Sequence, residues 1–161
     1  MKDFFLYLVI SLLLTSCRFD SESTAGRNTA SFQSQDGSGK ECFSSAIKRD
    51  SIWVKLDFSS EEVTGILIYN FHEKDRNKGT LQGGLKGDTL LASYTFHSEG
   101  VVSVREVAFL VEGDQLIEGF GEMEMKENRQ VFKEKGEIDF SQGIAFKKID
   151  CKAYKTNFTL E

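Results

Sequence analysis

Few side chains in this chain have types and spacings that could do chemistry. His72 stands beside Glu73 and Asp75, and His97 lies two positions before Glu99. Imidazole and carboxylate together can hold zinc. However, neither His-x-His nor His-x-x-x-His occurs, and both histidines fall where turns are expected. Solvated surface groups are the simpler reading, and no metal is expected. Asp75-Arg76-Asn77-Lys78-Gly79 opens like a calcium loop but lacks the acid at its fifth position and the closing glutamate, so it reads as a turn. Ser103-Val104-Arg105-Glu106 interrupts an otherwise apolar stretch. If Val107, Phe109 and Val111 face a core, Ser103 and Arg105 face it too, and a guanidinium there would grip a carboxylate or phosphate through two parallel hydrogen bonds. Two plainer readings compete: Arg105 pairs with an internal acid such as Glu118, or the opposite parity leaves it exposed. The candidate ligand-binding residues are therefore Arg105, Ser103, Tyr94, His72, His97 and Glu99.

Catalytic signatures are missing. There is no Gly-x-Ser-x-Gly, no His-Glu-x-x-His and no serine or cysteine at a recognised spacing from a histidine. Gly37-Ser38-Gly39-Lys40 lacks the earlier glycine and the following serine or threonine of a phosphate-binding loop. A non-catalytic protein without cofactor is expected. The formal net charge of −5 also argues against a nucleic-acid partner, which calls for a basic patch.

The elements that must position these residues read as strands. The chain has no proline and 14 phenylalanines, with many β-branched residues between glycine-rich turns. Ile52, Val54, Leu56 and Phe58 share one face of a strand, as do Leu90, Ala92, Tyr94 and Phe96. Further strands are expected over 42–48, 63–71, 80–86, 101–111, 116–121, 131–132, 138–140 and 144–149. Gly87-Asp88-Thr89-Leu90-Leu91 and Gly113-Asp114-Gln115-Leu116-Ile117 repeat one turn-then-strand unit. An all-β domain is expected, an antiparallel up-and-down meander closing into a small barrel of about 8–10 strands, because closure removes exposed edges. A two-sheet sandwich is the alternative. The aromatics Trp53, Tyr69, Tyr94, Phe96, Phe109 and Phe120 are read as packing, with a lined calyx as the sharper alternative.

Turns in a meander fall alternately at two ends. Counting from the start of the first strand, those near Glu61, Gly87-Asp88, Gly113-Asp114 and Lys135-Gly136 fall at the near end. Arg49-Asp50, the polar loop His72 to Lys78, Ser98 to Gly100, a second polar loop Glu122 to Arg129, and Ser141 to Gly143 fall at the far end. Long polar loops on a rigid scaffold are where binding residues usually sit.

The N-terminus sets the context. Phe4 to Leu14 is an apolar run too short for a membrane-spanning helix, which takes about 20 residues, and has the length of a signal-peptide core. Leu14-Thr15-Ser16-Cys17 resembles a bacterial lipobox, whose cysteine becomes the acylated first residue. The resemblance implies a leader over 1–16, a lipidated Cys17 with a polar tether to residue 40, a domain over 41–155 and a tail over 156–161. The compartment is then the bacterial cell envelope, the outer membrane rather than the inner, with the membrane held through a palmitate-bearing anchor. Export means an oxidising environment, and with Cys17 assigned, Cys42 and Cys151 are an even pair at the near end, expected as a disulfide.

In lipobox, single cysteine pair and glycine-aspartate turns, the chain resembles the small β-barrel lipoproteins of bacterial envelopes, a group that includes lysozyme inhibitors. The expected function is to bind a protein or glycan partner through the membrane-distal loops; a carrier with an apolar barrel interior is the alternative, and a hydrolase or other enzyme is a third reading that the missing motifs disfavour. Replacing Cys17 by serine is expected to abolish incorporation of labelled palmitate and leave the leader attached. Undiminished labelling would remove the lipoprotein reading.

Overall fold

The structure, a computed structural model, describes residues 39–59, 62–74, 76–98 and 100–153. The leader, Cys17, the tether to residue 38, Glu99 and the tail over 156–161 lie outside them. Ten strands run in chain order: β1 (Gly39–Ile47), β2 (Asp50–Phe58), β3 (Val63–Asn70), β4 (Asn77–Lys86), β5 (Thr89–Ser98), β6 (Val101–Glu112), β7 (Gln115–Phe120), β8 (Met123–Lys126), β9 (Arg129–Phe132) and β10 (Asp139–Ile149). β1 to β7 pair consecutively and antiparallel, and β10 pairs with both β7 and β1. The result is an eight-stranded up-and-down barrel, not a sandwich.

Alternation decides the inside. Ile52, Val54, Leu56 and Phe58 are buried, as are Leu90, Ala92 and Tyr94. With Phe43, Leu67, Phe109, Leu116 and Phe146 they form one continuous core within the barrel. The two glycine-aspartate hairpins turn at Gly87 (φ 62°) and Gly113 (φ 58°), where a left-handed backbone is free of a Cβ penalty.

The ring closes at its thinnest seam. β1 and β2 match over nine residue pairs, whereas β1 and β10 match over three, Cys42↔Ile149 to Ser44↔Lys147. A disulfide between Cys42 and Cys151, with Cα atoms 5.2 Å apart, spans that seam at the near end. It sits on the outer face with buried Ile68, beside Trp53, Ile66 and Ile149. That patch explains why β3 is apolar on both faces.

Four expectations need correction. Glu122 to Arg129 is not a loop: β8 and β9 form a hairpin turning at Glu127 and Asn128, both with positive φ, the pattern of a type I′ turn. Lys135-Gly136 lies at the far end, because the whole excursion over 121–138 leaves β7 and returns at Asp139, opposite Phe120. Ser141 to Gly143 is not a turn but an irregularity within β10, where the register shifts between Asp139 and Ile144. The physical reason is packing beyond the wall: Ile138 and Phe140 cover Gly119, whose missing Cβ would lie 2.5 Å from each. β4 also begins at Asn77, so Asn77 to Gly79 is strand and not the turn expected there.

Crosslinking a loop of roughly 100 residues contributes about 4–5 kcal/mol through loop-closure entropy. Reducing the Cys42–Cys151 bond, or replacing both cysteines by serine, is expected to lower the urea-unfolding free energy by an amount of that order. A change below about 1 kcal/mol would show that the seam holds without its staple.

Candidate functional site

Four polar side chains converge inside the far half of the barrel, each from a different strand. Tyr69 comes from β3, Tyr94 from β5, Arg105 from β6 and Glu118 from β7. Parity puts them there: Tyr94 lies directly opposite Arg105, and Glu118 opposite the core residue Phe109. Arg105 therefore shares the inward face with Val107, Phe109 and Val111, and pairs with an internal acid.

The geometry is uneven. The Tyr69 hydroxyl donates to Glu118 Oε1 at 2.5 Å. Arg105 Nη2 stands 3.8 Å from the same oxygen, an ion pair beyond hydrogen-bond reach. The guanidinium carbon lies 5.1 Å from the Tyr69 ring centroid and 5.7 Å from that of Tyr94, within cation–π range. The Tyr94 hydroxyl faces the Leu67 and Asn77 carbonyl oxygens, each at 3.2 Å. Tyr94 and Phe96 stack at 4.7 Å.

Burial falls unequally on the ion pair: the Glu118 side chain is 4% exposed and that of Arg105 34%. Desolvation pushes the Glu118 carboxyl above the ordinary carboxylate range, against the opposing pull of the Tyr69 hydrogen bond and the Arg105 charge. Burial likewise raises both phenols, so Tyr69 and Tyr94 stay protonated donors.

An opening in the wall reaches this cluster. β7 accompanies β6 only as far as Ala108↔Gly119, and farther out β9 takes its place with a parallel match at Arg105↔Gln130. Where one partner leaves and the other arrives lies a port of 80 Å³, lined by Arg105, Glu118, Phe120, Met123, Gln130 and Phe132 among others. Glu106, facing outward, fixes the hairpin: its carboxylate accepts the Phe132 N–H at 3.0 Å and pairs with Lys135 Nζ at 3.0 Å. A larger hollow of 460 Å³ lies on the outer wall across β2 to β4, lined by Lys55, Asp57, Thr64, Thr80 and Gln82. Size alone favours the hollow, but the buried ionisable groups are at the port, and there we place the site.

Of the residues anticipated from sequence, Arg105 and Tyr94 come together, and Ser103 lies one inward position farther along β6, matched to Phe96. His72 and His97 do not join them. The His72 backbone N–H donates to Asp50 Oδ1 at 2.7 Å and its ring lies 3.1 Å from Glu73. His97 is exposed on the opposite face of β5 from Tyr94 and Phe96. Among the described residues, no three of His, Cys, Asp and Glu gather as a metal site would require. Sequence reasoning missed the roles of Tyr69 and Glu106. Tyr69 ends the unbroken run Ile66-Leu67-Ile68-Tyr69, in which no alternation is visible.

Comparisons with protein-family models, curated proteins and solved structures find no match for this chain.

A carboxyl whose folded pKa is raised favours the folded state most at pH values below its unfolded pKa, and that contribution is lost as pH rises through the folded value. Stability is therefore expected to fall as pH rises above the ordinary carboxylate range, with Glu118 as one cause. Glu118→Gln should flatten that part of the profile in denaturant titrations. An unchanged slope would show that Glu118 ionises in the barrel as it does in the unfolded chain.

Proposed function

We propose that the chain is a non-catalytic, lipid-anchored envelope protein whose barrel binds a partner protein through its far rim. The observation that carries this reading is the distribution of exposed apolar groups. Ile47, Val101, Val102, Phe120 and Met125 are all exposed at the far end or on its hairpin, and Leu85 alone of the exposed large hydrophobics described is at the near end. β1 enters the barrel at Gly39 from the near end, opposite the apolar rim, which supports a reading in which an anchor at Cys17 leaves that rim free.

Scattered single hydrophobics need no explanation, but concentration at one end is what an interaction surface looks like. Valine, methionine and phenylalanine are groups that a protein partner buries, and methionine and aromatic residues are enriched at interfaces. These aliphatic groups suit a polypeptide better than a glycan. A small-ligand carrier is less well supported, because the interior core is continuous and the port is far smaller than the roughly 300–1,000 Å³ of typical ligand pockets.

The full-length acylated protein, used as bait in detergent-solubilised envelope, should retain a partner that the Val101→Ser, Val102→Ser, Met125→Ser variant retains about tenfold less. Circular dichroism should be the same for both. Equal capture by a folded variant would overturn the rim reading.

A further inference from the structure

We propose that the port between β6, β7 and β9 is a binding site for a carboxylate group, held by Arg105 and Glu118 together. This rests on the port and stands independently of the rim reading above.

The first ground is an unsatisfied pair. Arg105 Nε and Glu118 Oε2 are both buried, and neither has a hydrogen-bond partner among the described residues. Buried polar atoms without partners are rare, because each costs the desolvation of that group. Two of them on adjoining side chains of one port call for a third party.

The second ground is that the neighbours are already engaged. The Tyr69 hydroxyl is committed to Glu118 Oε1, and the single Tyr94 O–H to the Leu67 and Asn77 carbonyls between which it sits. Glu106, on the outer lip, is committed to Phe132 and Lys135. From β10, the residue matched to Glu118 is the apolar Ile144. What remains without a partner is Arg105 Nε and Glu118 Oε2, on two side chains that line the port.

The third ground is charge. Burial raises the Glu118 carboxyl above its ordinary range, and in the neutral form Oε1 accepts from Tyr69 and Oε2 is the atom left to carry the proton. Arg105 then supplies the positive charge of the cluster, and its N–H groups with the Glu118 O–H are donors facing one cavity. A carboxylate has two acceptor oxygens and one negative charge, which matches that arrangement, and Arg–carboxylate geometry adds a bidentate fork. A cation would meet the guanidinium. The volume of 80 Å³ admits a small acid or the end of an acidic side chain, but not an acyl chain. Binding needs Glu118 protonated, so affinity falls as pH rises.

The test is NMR on the ¹⁵N-labelled chain titrated with sodium acetate, against sodium chloride at equal ionic strength. Acetate should shift the Arg105 Nε–H and the Gly119 and Gln130 amides saturably, and more tightly at acidic than at neutral pH. Arg105→Lys keeps the charge and loses the fork; it should bind about 10- to 100-fold more weakly. Glu118→Gln keeps a donor and should still bind, with the pH dependence gone; it also guards against a misfolded Arg105 variant. A capped glutamate, N-acetyl-glutamate methylamide, separates the sources: binding of both probes supports a port open to acidic side chains, and binding of acetate alone supports a free small acid. No saturable shift with acetate, the same shift with chloride, or full affinity in folded Arg105→Lys would overturn the proposal.

Discussion

The barrel depends on β10. This strand alone bridges β7 and β1, and without it seven strands would form an open sheet with two long edges. An open edge exposes a row of unpaired backbone groups, which is an invitation to aggregate. The join on the β1 side is short, only three matched pairs, and the Cys42–Cys151 bond lies across it. Covalent chemistry thus stands where the hydrogen-bond ladder is thinnest. The buried patch around Ile68 and Trp53 exists on the outer wall because the sulfur bridge and the turn after β10 cover it.

The same strand accounts for the site. β7 is short and must hand over to β10, and the chain between them makes the β8–β9 hairpin before returning. That detour lays β9 along the outer half of β6 and leaves a small gap where β7 has departed. A uniform meander would have sealed the wall and placed Arg105 in a closed interior. The gap lets the buried, imperfectly matched Arg105 and Glu118 side chains adjoin the outside.

Much of this was legible in sequence, for physical reasons. Alternation at Ile52 to Phe58 and Leu90 to Phe96 fixed the inward face directly. The repeated Gly-Asp turns located two hairpins; counting strand directions brought the two cysteines to one end only because two misplaced turns, Lys135-Gly136 and Ser141 to Gly143, cancelled. Of the readings left open for Arg105, the pairing with Glu118 is the one found, because parity turns both side chains inward. What resisted reading was the stretch after β7. Met123 to Lys126 alternates methionine with charge over only four residues, too short to separate a strand from a polar loop. Tyr69 was hidden for the opposite reason: both faces of β3 are covered, so apolar residues run without a break.

One consequence of the disulfide concerns load. A pull entering through the N-terminal segment would ordinarily peel β1 off the cylinder one hydrogen bond at a time, the softest way to dismantle a sheet. Here only Gly39, Lys40 and Glu41 precede Cys42, so the unzipping halts almost at once and tension passes through sulfur to the residue that follows β10. First and last strands then share the strain, and the cylinder must yield as a whole.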